Sequence, residues 1–400
     1  MRVKFSILLP TRNRLELLKI AIHSIQGQDY SNWEVIVSDN YSEEDVAGYV
    51  QSLNDPRIKY YRTESFVPVT ENWNNALEKS SGDYVIMLGD DDCLMKGYFT
   101  AVCKLLEDYP DPDFIYTSGF LYAYPNVMPW CSEGFLSAFG NASFLESKRK
   151  PYWLKREEAL KLVDDSMNFK VMFAYNVQYS ILSRHLIEKM QAKGKFYQTS
   201  YPDYYTMTAL MLEAKKILAC PWPLVMVGIS PKSFGFFHFN QREKEAAEFI
   251  KMAEENLEQP QLQKTLLPGT KMNTYWLFSM EALKNNYNEE YDLSLNYGRY
   301  RWLQIIKVYR KWTGQDSWRS FELKELWKRM TVKEKIAYGL HFQLVTTLLR
   351  CLPMRLRNKI ANRLEKIGGS HPTFKSEKIE GVFPTALQVF EQIDPQQYKL

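Results

Sequence analysis

Short apolar runs alternate with helical repeats of apolar residues along the first hundred positions. The run at residues 5–9, within a first strand predicted at 3–9, and the run at 84–88 have the length of buried strands. Between the runs, apolar residues recur three or four positions apart, as at Leu15, Leu18 and Ile22, which is typical of a helix packed on one side. Strands and helices that alternate at this spacing predict a parallel sheet with right-handed crossover connections. We therefore predict an α/β fold with a mostly parallel central sheet flanked by helices.

The pattern changes near residue 241. From there on, apolar residues recur at helical spacing over long stretches such as 270–286 and 293–312. The last thirty residues or so show weak periodicity, which suggests an extended segment. The sequence thus predicts three parts: an α/β domain over residues 1–240, a helical domain over 241–369 and an extended C-terminal tail over 370–400.

The apolar run that ends at Leu88 leads through Gly89 into three adjacent acids, Asp90, Asp91 and Asp92. Three neighbouring carboxylates repel one another unless a positive charge lies among them. Mg²⁺ or Mn²⁺ is the usual partner, because both ions take oxygen ligands and bridge one or two carboxylates to substrate phosphates. Since ligands of open α/β sheets bind outside the carboxyl ends of the strands, we expect the triplet in a ligand crevice. The alternative is a solvated acidic loop.

A further acid, Asp39, ends the second predicted strand, at residues 33–40. Parallel strands bring their carboxyl ends to one edge of a sheet, so Asp39 should face the same crevice as the acid triplet. An acid after the second strand is well placed to hydrogen-bond a ribose or a base. The glycine-rich phosphate loops of Rossmann dehydrogenases and of P-loop enzymes are missing, so neither class is supported.

Composition and charge limit the partners and the cellular compartment that the sequence supports. A net charge of +4 without a recognised nucleic-acid module argues against a nucleic-acid partner. Five scattered cysteines favour reduced thiols in a cytoplasmic protein over a disulfide framework. No uncharged apolar run approaches the roughly 20 residues of a membrane span. Residues 353–367, however, predict a helix with one apolar face and otherwise basic faces, which could lie on the inner face of an anionic membrane or dock on its own domain.

Four segments stand in the order and spacing of the family 2 glycosyltransferases, and the chain resembles that family over roughly its first 240 residues. The segments are SILLPTRN (6–13), VIVSDN (35–40), NNAL (74–77) and GDYVIMLGDDD (82–92). The resemblance implies a GT-A fold and an inverting transfer of a sugar from a nucleoside diphosphate sugar, a UDP-sugar in the first instance. It also implies Mn²⁺ or Mg²⁺ as cofactor and a hydroxyl of a glycan or lipid-linked glycan as acceptor, in cell-surface polysaccharide or glycoconjugate biosynthesis.

The resemblance implies roles for individual residues as well. Asp92 is expected to be the direct metal ligand, and His238 a second one, although a lone His beside aromatic residues is more often a packed or surface residue. The alternative for this segment is that Lys232, rather than His238, takes part in binding by contacting the diphosphate. The residues expected to bind the nucleotide sugar are Pro10, Thr11, Arg12, Asn13, Asp39, Asn74, Asp90 and Asp91.

Asp203 stands just before a predicted helix, where the family places its general base. The acceptor hydroxyl must lose its proton as it attacks the anomeric carbon, and a positioned carboxylate can take that proton. The alternative is that Asp203 only caps the helix. Specificity for the acceptor is expected in the irregular, aromatic-rich stretch at residues 124–151.

Two departures from the family pattern leave rival interpretations open. Gly89 stands where the family often has an acid, and Trp73 where it often has an arginine. A degenerate GT-A domain that only binds a glycan or nucleotide, or serves as a scaffold, is therefore one alternative. A sugar nucleotidyltransferase is another, although the glycine-rich loop expected near its N-terminus is missing between Pro10 and Arg14.

Overall fold

The computed structural model describes residues 2–240, 242, 245, 248, 260–313, 319–353, 355, 356, 374 and 376–398. The chain divides into two compact units rather than three consecutive parts. Unit 1 comprises Met1–Val163, Met172–Ala253 and Thr373–Leu400, and unit 2 comprises Asp164–Val171 and Glu254–Pro372.

Unit 1 contains a mixed sheet in the order β11-β7-β6-β9-β4-β1-β2-β3, with β10 paired to β5, β6 and β8. Its strands are β1 Phe5–Thr11, β2 Trp33–Asp39, β3 Ile58–Arg62, β4 Tyr84–Met87, β5 Cys93–Leu94, β6 Phe114–Ala123, β7 Phe135–Phe139, β8 Tyr152–Leu154, β9 Ser180–Ser183, β10 Ile217–Ile229 and β11 Ser376–Ile379.

Helices flank the sheet in unit 1 and make up the described part of unit 2. They are α1 Leu15–Gln26, α2 Val46–Ser52, α3 Val69–Glu78, α4 Tyr98–Asp108, α5 Arg156–Met167, α6 Arg184–Gln191, α7 Pro202–Glu213, α8 Phe234–Phe239, α9 Pro260–Thr265, α10 Lys271–Tyr287, α11 Tyr297–Thr313, α12 Arg319–Arg329, α13 Val332–Glu334, α14 Leu340–Arg350 and α15 Ala386–Gln392. Shorter helical turns are the 3₁₀-helices Ser143–Leu145, Val177–Tyr179 and Pro395–Tyr398 and the π-helix Lys335–Gly339.

The first four strands explain why the sequence shows continuous apolar runs. β1 is parallel to both β2 and β4, and β2 is parallel to β3. Every residue of β2 and β4 is buried, as expected for central parallel strands covered on both faces. In the register of the sheet, Thr11 pairs with Asp39 and Leu8 with Met87, so β1, β2 and β4 end at one edge. The predicted α/β fold with a central sheet flanked by helices is confirmed.

Beyond β4 the sheet becomes mixed. β9 is antiparallel to both β4 and β6, and β7 is antiparallel to β6. The 13-residue strand β10 is parallel to β6 and has register irregularities around Pro223, where a missing N–H interrupts the ladder. β10 brings Gly228 and Ser230 alongside the segment that follows β4, because its partner β5 directly follows the acid triplet.

The C-terminal segment corrects the expectation of an extended tail. β11 pairs antiparallel with β7, over Ser376–Phe139 to Ile379–Leu136. Phe383, Val389 and Phe390 are buried, and the Phe390 ring packs edge-on against His23 of α1 at 6.0 Å. The segment therefore completes the core of unit 1, although more than two hundred residues separate it in sequence from β7 and α1.

The described part of unit 2 is helical, as predicted. A core that includes Ile305, Tyr309 and Leu326 joins α11 to α12 and to the helical segment that begins at Val332. A capping box begins this segment: Thr331 and Glu334 each accept a hydrogen bond from the backbone N–H of the other. Within the described residues, no helix combines the length and apolarity needed to cross a membrane. Most of the basic helix predicted at 353–367 lies outside the described residues.

The burial of Phe390 gives a direct test of the C-terminal segment. We expect Phe390→Ala to lower the free energy of unfolding by about 3 kcal/mol, since the large ring leaves a cavity against α1. Val382→Ala, at a position that is 66% exposed, should change it by less than about 0.5 kcal/mol. Urea denaturation measures both, and equal effects of the two substitutions would show that the segment does not belong to the core.

Candidate active site

The acid triplet lies at the edge where β1, β2 and β4 end. Asp90, Asp91 and Asp92 follow β4 and are 2%, 8% and 2% exposed, so they do not form a solvated acidic loop. Burial without compensation would be costly for three carboxylates, so each must be stabilised by neighbouring groups. The structure shows a different set of partners for each of the three.

Asp90 is held by the last residue of β1 and by the turn that follows it. The Thr11 hydroxyl donates to Asp90 Oδ2 at 2.8 Å, and the Arg14 guanidinium donates to Asp90 Oδ1 at 2.8 Å. The same Arg14 nitrogen lies 3.9 Å from Asp91 Oδ1. Burial acts to lower the pKa of Arg14, but attraction to Asp90 and Asp91 outweighs it, and the net shift of this pKa is upward. Arg14 is thus the positive charge among the three acids.

Asp92 joins two segments of backbone. Its Oδ2 accepts the Gly89 N–H at 2.8 Å, and its Oδ1 accepts the Gly228 N–H from β10 at 2.8 Å. A Cβ on Gly89 would lie 2.6 Å from Asp92 Oδ2, and a Cβ on Gly228 would overlap the Asp91 carbonyl oxygen. Burial, and then the charge of Asp91, raise the pKa of Asp92 well above its usual value. These contacts brace the turn from Gly89 to Asp92 against β10, and the role of Asp92 as the direct metal ligand stays a prediction.

Asp91 is the most accessible acid of the triplet. Its Oδ2 accepts the Ser230 hydroxyl at 2.7 Å. The buried hydroxyl of Tyr124 has no hydrogen-bond partner among the described residues, and the charge of Asp91 adds to burial in raising the pKa of Tyr124. A buried hydroxyl without a partner, close enough to Asp91 for the carboxylate to affect its pKa, could donate to a hydrated ion or a phosphate bound at Asp91.

The described residues contain no set of three or more His, Cys, Asp or Glu side chains arranged around a metal position. A magnesium-type ion does not require such a cage, because it commonly uses one or two carboxylates and takes its other ligands from water and substrate phosphates. The donor set therefore fits an ion that arrives with a diphosphate. His238 lies in the last turn of α8 against the Phe239 ring at 5.4 Å, and its role as a ligand stays a prediction.

Two loops meet beside the triplet. Arg14 donates a second hydrogen bond to the Lys232 carbonyl oxygen, and the Lys232 ammonium donates to the Asn13 carbonyl oxygen. Asn13 has a positive φ of 51°, and its side-chain oxygen accepts the Glu43 N–H at 2.7 Å. The turn after β1 is thereby tied both to the loop after β2 and to the loop after β10.

The other predicted nucleotide-binding residues are placed as follows. Asp39 is buried and accepts the Ser42 N–H at 2.9 Å and the Tyr60 hydroxyl at 2.7 Å. Arg12 lies over the Phe66 ring, 3.8 Å from its centroid, and Pro10 is half-buried in β1. These residues surround the ends of β1 and β2. Thr11 places them next to the triplet, because it pairs with Asp39 in the sheet and donates a hydrogen bond to Asp90.

Asn74 differs, because the backbone of Tyr197 occupies its side-chain amide. Asn74 donates to the Tyr197 carbonyl oxygen at 2.9 Å and accepts the Tyr197 N–H at 3.1 Å. The Trp73 ring packs edge-on against the Tyr197 ring at 5.3 Å. Asn74 therefore fixes the loop before α7 in the structure. That loop and α3 border an open depression of about 340 Å³, lined by Thr70, Gly194, Lys195, Tyr197, Gln198 and Thr199.

Asp203 lies in the first turn of α7 and is buried. Its Oδ1 accepts the Val177 N–H at 3.1 Å, and its carboxylate also accepts its own N–H. Burial raises the pKa of Asp203 to about 7, against the weaker opposing effect of these two hydrogen bonds. A carboxylate with a pKa near neutrality is suited to accept a proton. The contact with Val177 also shows that Asp203 does more than cap its own helix.

Two connections relate Asp203 to the acid triplet. Asp203 holds Val177 at one end of the 3₁₀-helix Val177–Tyr179, and the charge of Asp92 adds to burial in raising the pKa of Tyr179 at the other end. The second connection runs along the loop after β10: Ser230 binds Asp91, and the ring of Phe234 contacts that of Tyr201 at 5.3 Å. The two acidic centres therefore border one region of unit 1.

Sequence reasoning missed several residues of the site. Arg14, Gly228 and Ser230 have no predicted role, and Tyr124 is predicted only as part of the stretch at 124–151 that sets acceptor specificity. Arg14 carried a usable signal, since three adjacent acids require a nearby positive charge. Gly228 and Ser230 had none, because only the pairing of β10 with β5 and β6 brings them to the triplet.

Comparison with known proteins finds relatives for the N-terminal part of the chain. The family model described as "Glycosyl transferase family 2" matches residues 6–173. A Campylobacter jejuni protein named GalNAc(5)-diNAcBac-PP-undecaprenol beta-1,3-glucosyltransferase is 44% identical over 104 residues, which are 25% of this chain and 34% of that protein. An uncharacterized glycosyltransferase of Haemophilus influenzae is 32% identical over 132 residues, 31% of this chain and 44% of that one.

A third relative, from Escherichia coli, is named UDP-Glc:alpha-D-GlcNAc-diphosphoundecaprenol beta-1,3-glucosyltransferase WfgD. It is 32% identical over 87 residues, which are 22% of this chain and 34% of the relative. The chain thus spans less than half of the length of each of these relatives. Residues 6–173 are thus similar to glycosyl transferase family 2, which confirms the resemblance seen in the sequence.

The close approach of Gly228 to Asp91 generates a prediction. We expect Gly228→Ala to lower the free energy of unfolding by about 1–3 kcal/mol, because the added methyl overlaps backbone and displaces the N–H that binds Asp92. Gly298→Ala is the control, since its Cβ would meet only Asn296 Oδ1 at 3.6 Å. Thermal denaturation of both variants measures the difference. Equal midpoints for the two variants would contradict the proposed packing of β10 against the triplet.

Proposed function

We propose that the protein is an inverting glycosyltransferase that moves a sugar from a UDP-sugar to a hydroxyl of a lipid-linked glycan. The observation that carries the proposal is the pair of acidic centres that border one region: a buried triplet at the end of β4 and Asp203, whose pKa is about 7. The first suits a leaving diphosphate with its cation, and the second suits an acceptor that must lose a proton. The similarity of residues 6–173 to glycosyl transferase family 2 supports the same chemistry.

Asp91 is our choice for the metal ligand. It is the most accessible acid of the three, whereas both oxygens of Asp92 already bind backbone N–H groups. Mn²⁺ or Mg²⁺ bound there would neutralise the negative charge of the diphosphate. This chain's own part is to hold the Asp91 carboxylate in place, through the Ser230 hydroxyl and the rigid turn from Gly89 to Asp92.

Arg14 and Lys232 are the protein cations at the same place. Arg14 binds Asp90 directly, and Lys232 is exposed beside it. When a nucleoside diphosphate and its cation are bound, that cation also offsets the negative charge of the acids. Arg14 is then available to contact the diphosphate. We propose that Arg14 and Lys232 then orient the diphosphate, while Asp39 and the turn from Pro10 to Asn13 bind the nucleoside.

Asp203 takes the acceptor's proton in this proposal. The hydroxyl oxygen attacks the anomeric carbon, the bond from that carbon to the UDP oxygen breaks, and the proton moves to Asp203. A single displacement of this kind inverts the anomeric centre. General-base catalysis typically contributes 10²–10⁴-fold to the rate, and holding the donor and acceptor in line contributes much of the remainder.

Acceptor specificity is assigned to the stretch at 124–151. It carries Trp130, which is 64% exposed and packs edge-on against Phe239 at 5.5 Å, so an aromatic face is open to a sugar ring. The two relatives with named substrates act on diphosphoundecaprenol-linked glycans and are named glucosyltransferases. UDP-glucose and a glycan-diphospholipid are accordingly our first choices of donor and acceptor. A cytoplasmic enzyme at the membrane's inner face fits such an acceptor.

One observation favours a second candidate, a degenerate domain that binds a glycan or nucleotide without turnover. Arg14 already supplies a positive charge at Asp90, and Gly89 replaces an acid that the family often has at this position. Such a domain would bind nucleotides without the metal. The retained Asp91 and Asp203 favour the enzyme.

Substitution of the acids tests the proposed metal ligand. We expect Asp91→Asn to weaken Mn²⁺-dependent binding of UDP by at least tenfold, because the ion loses its charged oxygen ligand. Asp92→Asn should instead mainly lower the thermal midpoint, because its amide places a donor opposite a backbone N–H. Calorimetric titration with UDP, with and without Mn²⁺, separates the two. Unchanged metal-dependent binding in Asp91→Asn would refute the assignment.

Substitution of Asp203 tests its role as the general base. We expect Asp203→Asn to reduce sugar transfer by about 10²–10⁴-fold while the affinity for UDP stays unchanged. In the wild type, kcat/KM should fall about tenfold per pH unit below pH 7, because protonated Asp203 cannot accept the proton. Transfer of radiolabelled glucose to a synthetic GlcNAc-diphospholipid measures both. Loss of UDP binding together with transfer would indicate a structural role for Asp203.

A further inference from the structure

A row of exposed aliphatic side chains runs along one helical segment of unit 2. The segment comprises α13, the π-helix and α14, over residues 332–350. Patches of large exposed aliphatic residues are uncommon on soluble proteins unless they bind something. The members of this aliphatic row are each between 59% and 73% exposed: Val332, Ile336, Leu340, Leu344 and Leu348.

The opposite side of the same segment already packs the core of unit 2. Phe342 stacks on Tyr309 with ring centroids 5.5 Å apart, and Tyr338 packs against the same core cluster. A Cβ on Gly339 would lie 3.1 Å from the Trp327 ring, so the segment approaches α12 closely there. The aliphatic row is therefore not used by the core, although it is as apolar as a core face.

The spacing of the row is four residues throughout. In a regular α-helix four residues advance by about 400°, so a row with this spacing drifts by about 40° at each step. The π-helix Lys335–Gly339 has more residues per turn and counteracts that drift between Ile336 and Leu340. A two-stranded coiled coil would require apolar residues every 3.5 positions on average, and the row does not follow that repeat.

Charge distinguishes the candidates for what covers the row. The one acid between residues 332 and 350 is Glu334. It is turned inward, where its two oxygens accept from Arg301 at 2.6 and 2.7 Å. Lys333 and His341 are exposed beside the row, and Arg355 follows it. In sequence, residues 331–367 contain eight Lys and Arg and two Glu, a net charge of +6, whereas the whole chain carries +4.

We propose that the aliphatic row docks unit 2 onto the surface of an anionic lipid bilayer. Apolar side chains bordered by basic ones, with the acid withdrawn, match the boundary between acyl chains and anionic headgroups. A second copy of the chain fits less well, because symmetric pairing would bring two basic flanks together without an exposed acid on the segment to pair them. Docking goes beyond the proposed transfer reaction and does not depend on it.

Sedimentation with vesicles tests the proposal on the full chain. One vesicle preparation contains one part phosphatidylglycerol to three parts phosphatidylcholine, and the other contains phosphatidylcholine alone. We expect the wild type to sediment with the anionic vesicles and less with the neutral ones, and less at high salt. The double variant Leu340→Gln/Leu344→Gln should lower the partition coefficient by about tenfold or more, because two inserted side chains become polar.

The matched control is Leu160→Gln/Val382→Gln, at exposed aliphatic positions of unit 1. It should bind vesicles as the wild type does, and circular dichroism should show both double variants folded, since all four positions are exposed. Failure of the wild type to bind anionic vesicles, or equal binding by both double variants, overturns the proposal. A wild-type dimer that the Leu340→Gln/Leu344→Gln variant dissociates would also overturn it, in favour of a second copy. UDP binding is measured in parallel, so failure of docking is distinguishable from failure of the proposed function.

Discussion

Three buried carboxylates at the end of one strand must be stabilised by groups of the protein, and the site of unit 1 is arranged around this requirement. Asp90 receives a hydroxyl and a guanidinium, Asp91 a hydroxyl, and Asp92 two backbone N–H groups. These partners come from the end of β1, from the turn at Gly89 and from the end of β10. Because each partner group is tied to a different element, the triplet also fixes where those elements meet. We regard Arg14 as central, since it is the cation that binds the triplet directly in this structure.

The same requirement relates the fold to the proposed chemistry. Parallel pairing of β1 with β2 and β4 brings their polar ends to one edge, and β10 closes the edge from the far side. Burial raises the pKa of Asp203 to about 7, whereas Asp91 stays the more accessible acid of its group. Two acidic centres in different environments can serve two tasks, proton acceptance and cation binding.

The sequence predicted the parts of unit 1 that depend on local pattern. The predicted strand at 33–40 and the apolar run at 84–88 agree with β2 and β4 to within one residue, because buried parallel strands form short continuous apolar runs. The tail from residue 370 was not predicted correctly, since its strand pairs with β7 and its helix packs on α1, both distant in sequence. The same distinction applies to the hydrogen-bond partners of the triplet. Thr11 lies in a motif that the sequence shows, whereas Gly228 and Ser230 reach the triplet only through the pairing of β10. The exposure of the aliphatic row likewise depends on which helix face packs on α11 and α12.

The measurement that tests the central claim most directly is turnover of a panel of nucleotide sugars by the purified protein, with Mn²⁺ or Mg²⁺ and with a chelator. We expect slow, metal-dependent hydrolysis of one UDP-sugar, with UDP-glucose as the first candidate, because the acid triplet would bind the diphosphate through a cation. Hydrolysis should disappear with the chelator. Tight nucleotide binding that needs no metal, with no turnover of any donor by folded protein, would contradict the claim and favour a degenerate binding domain.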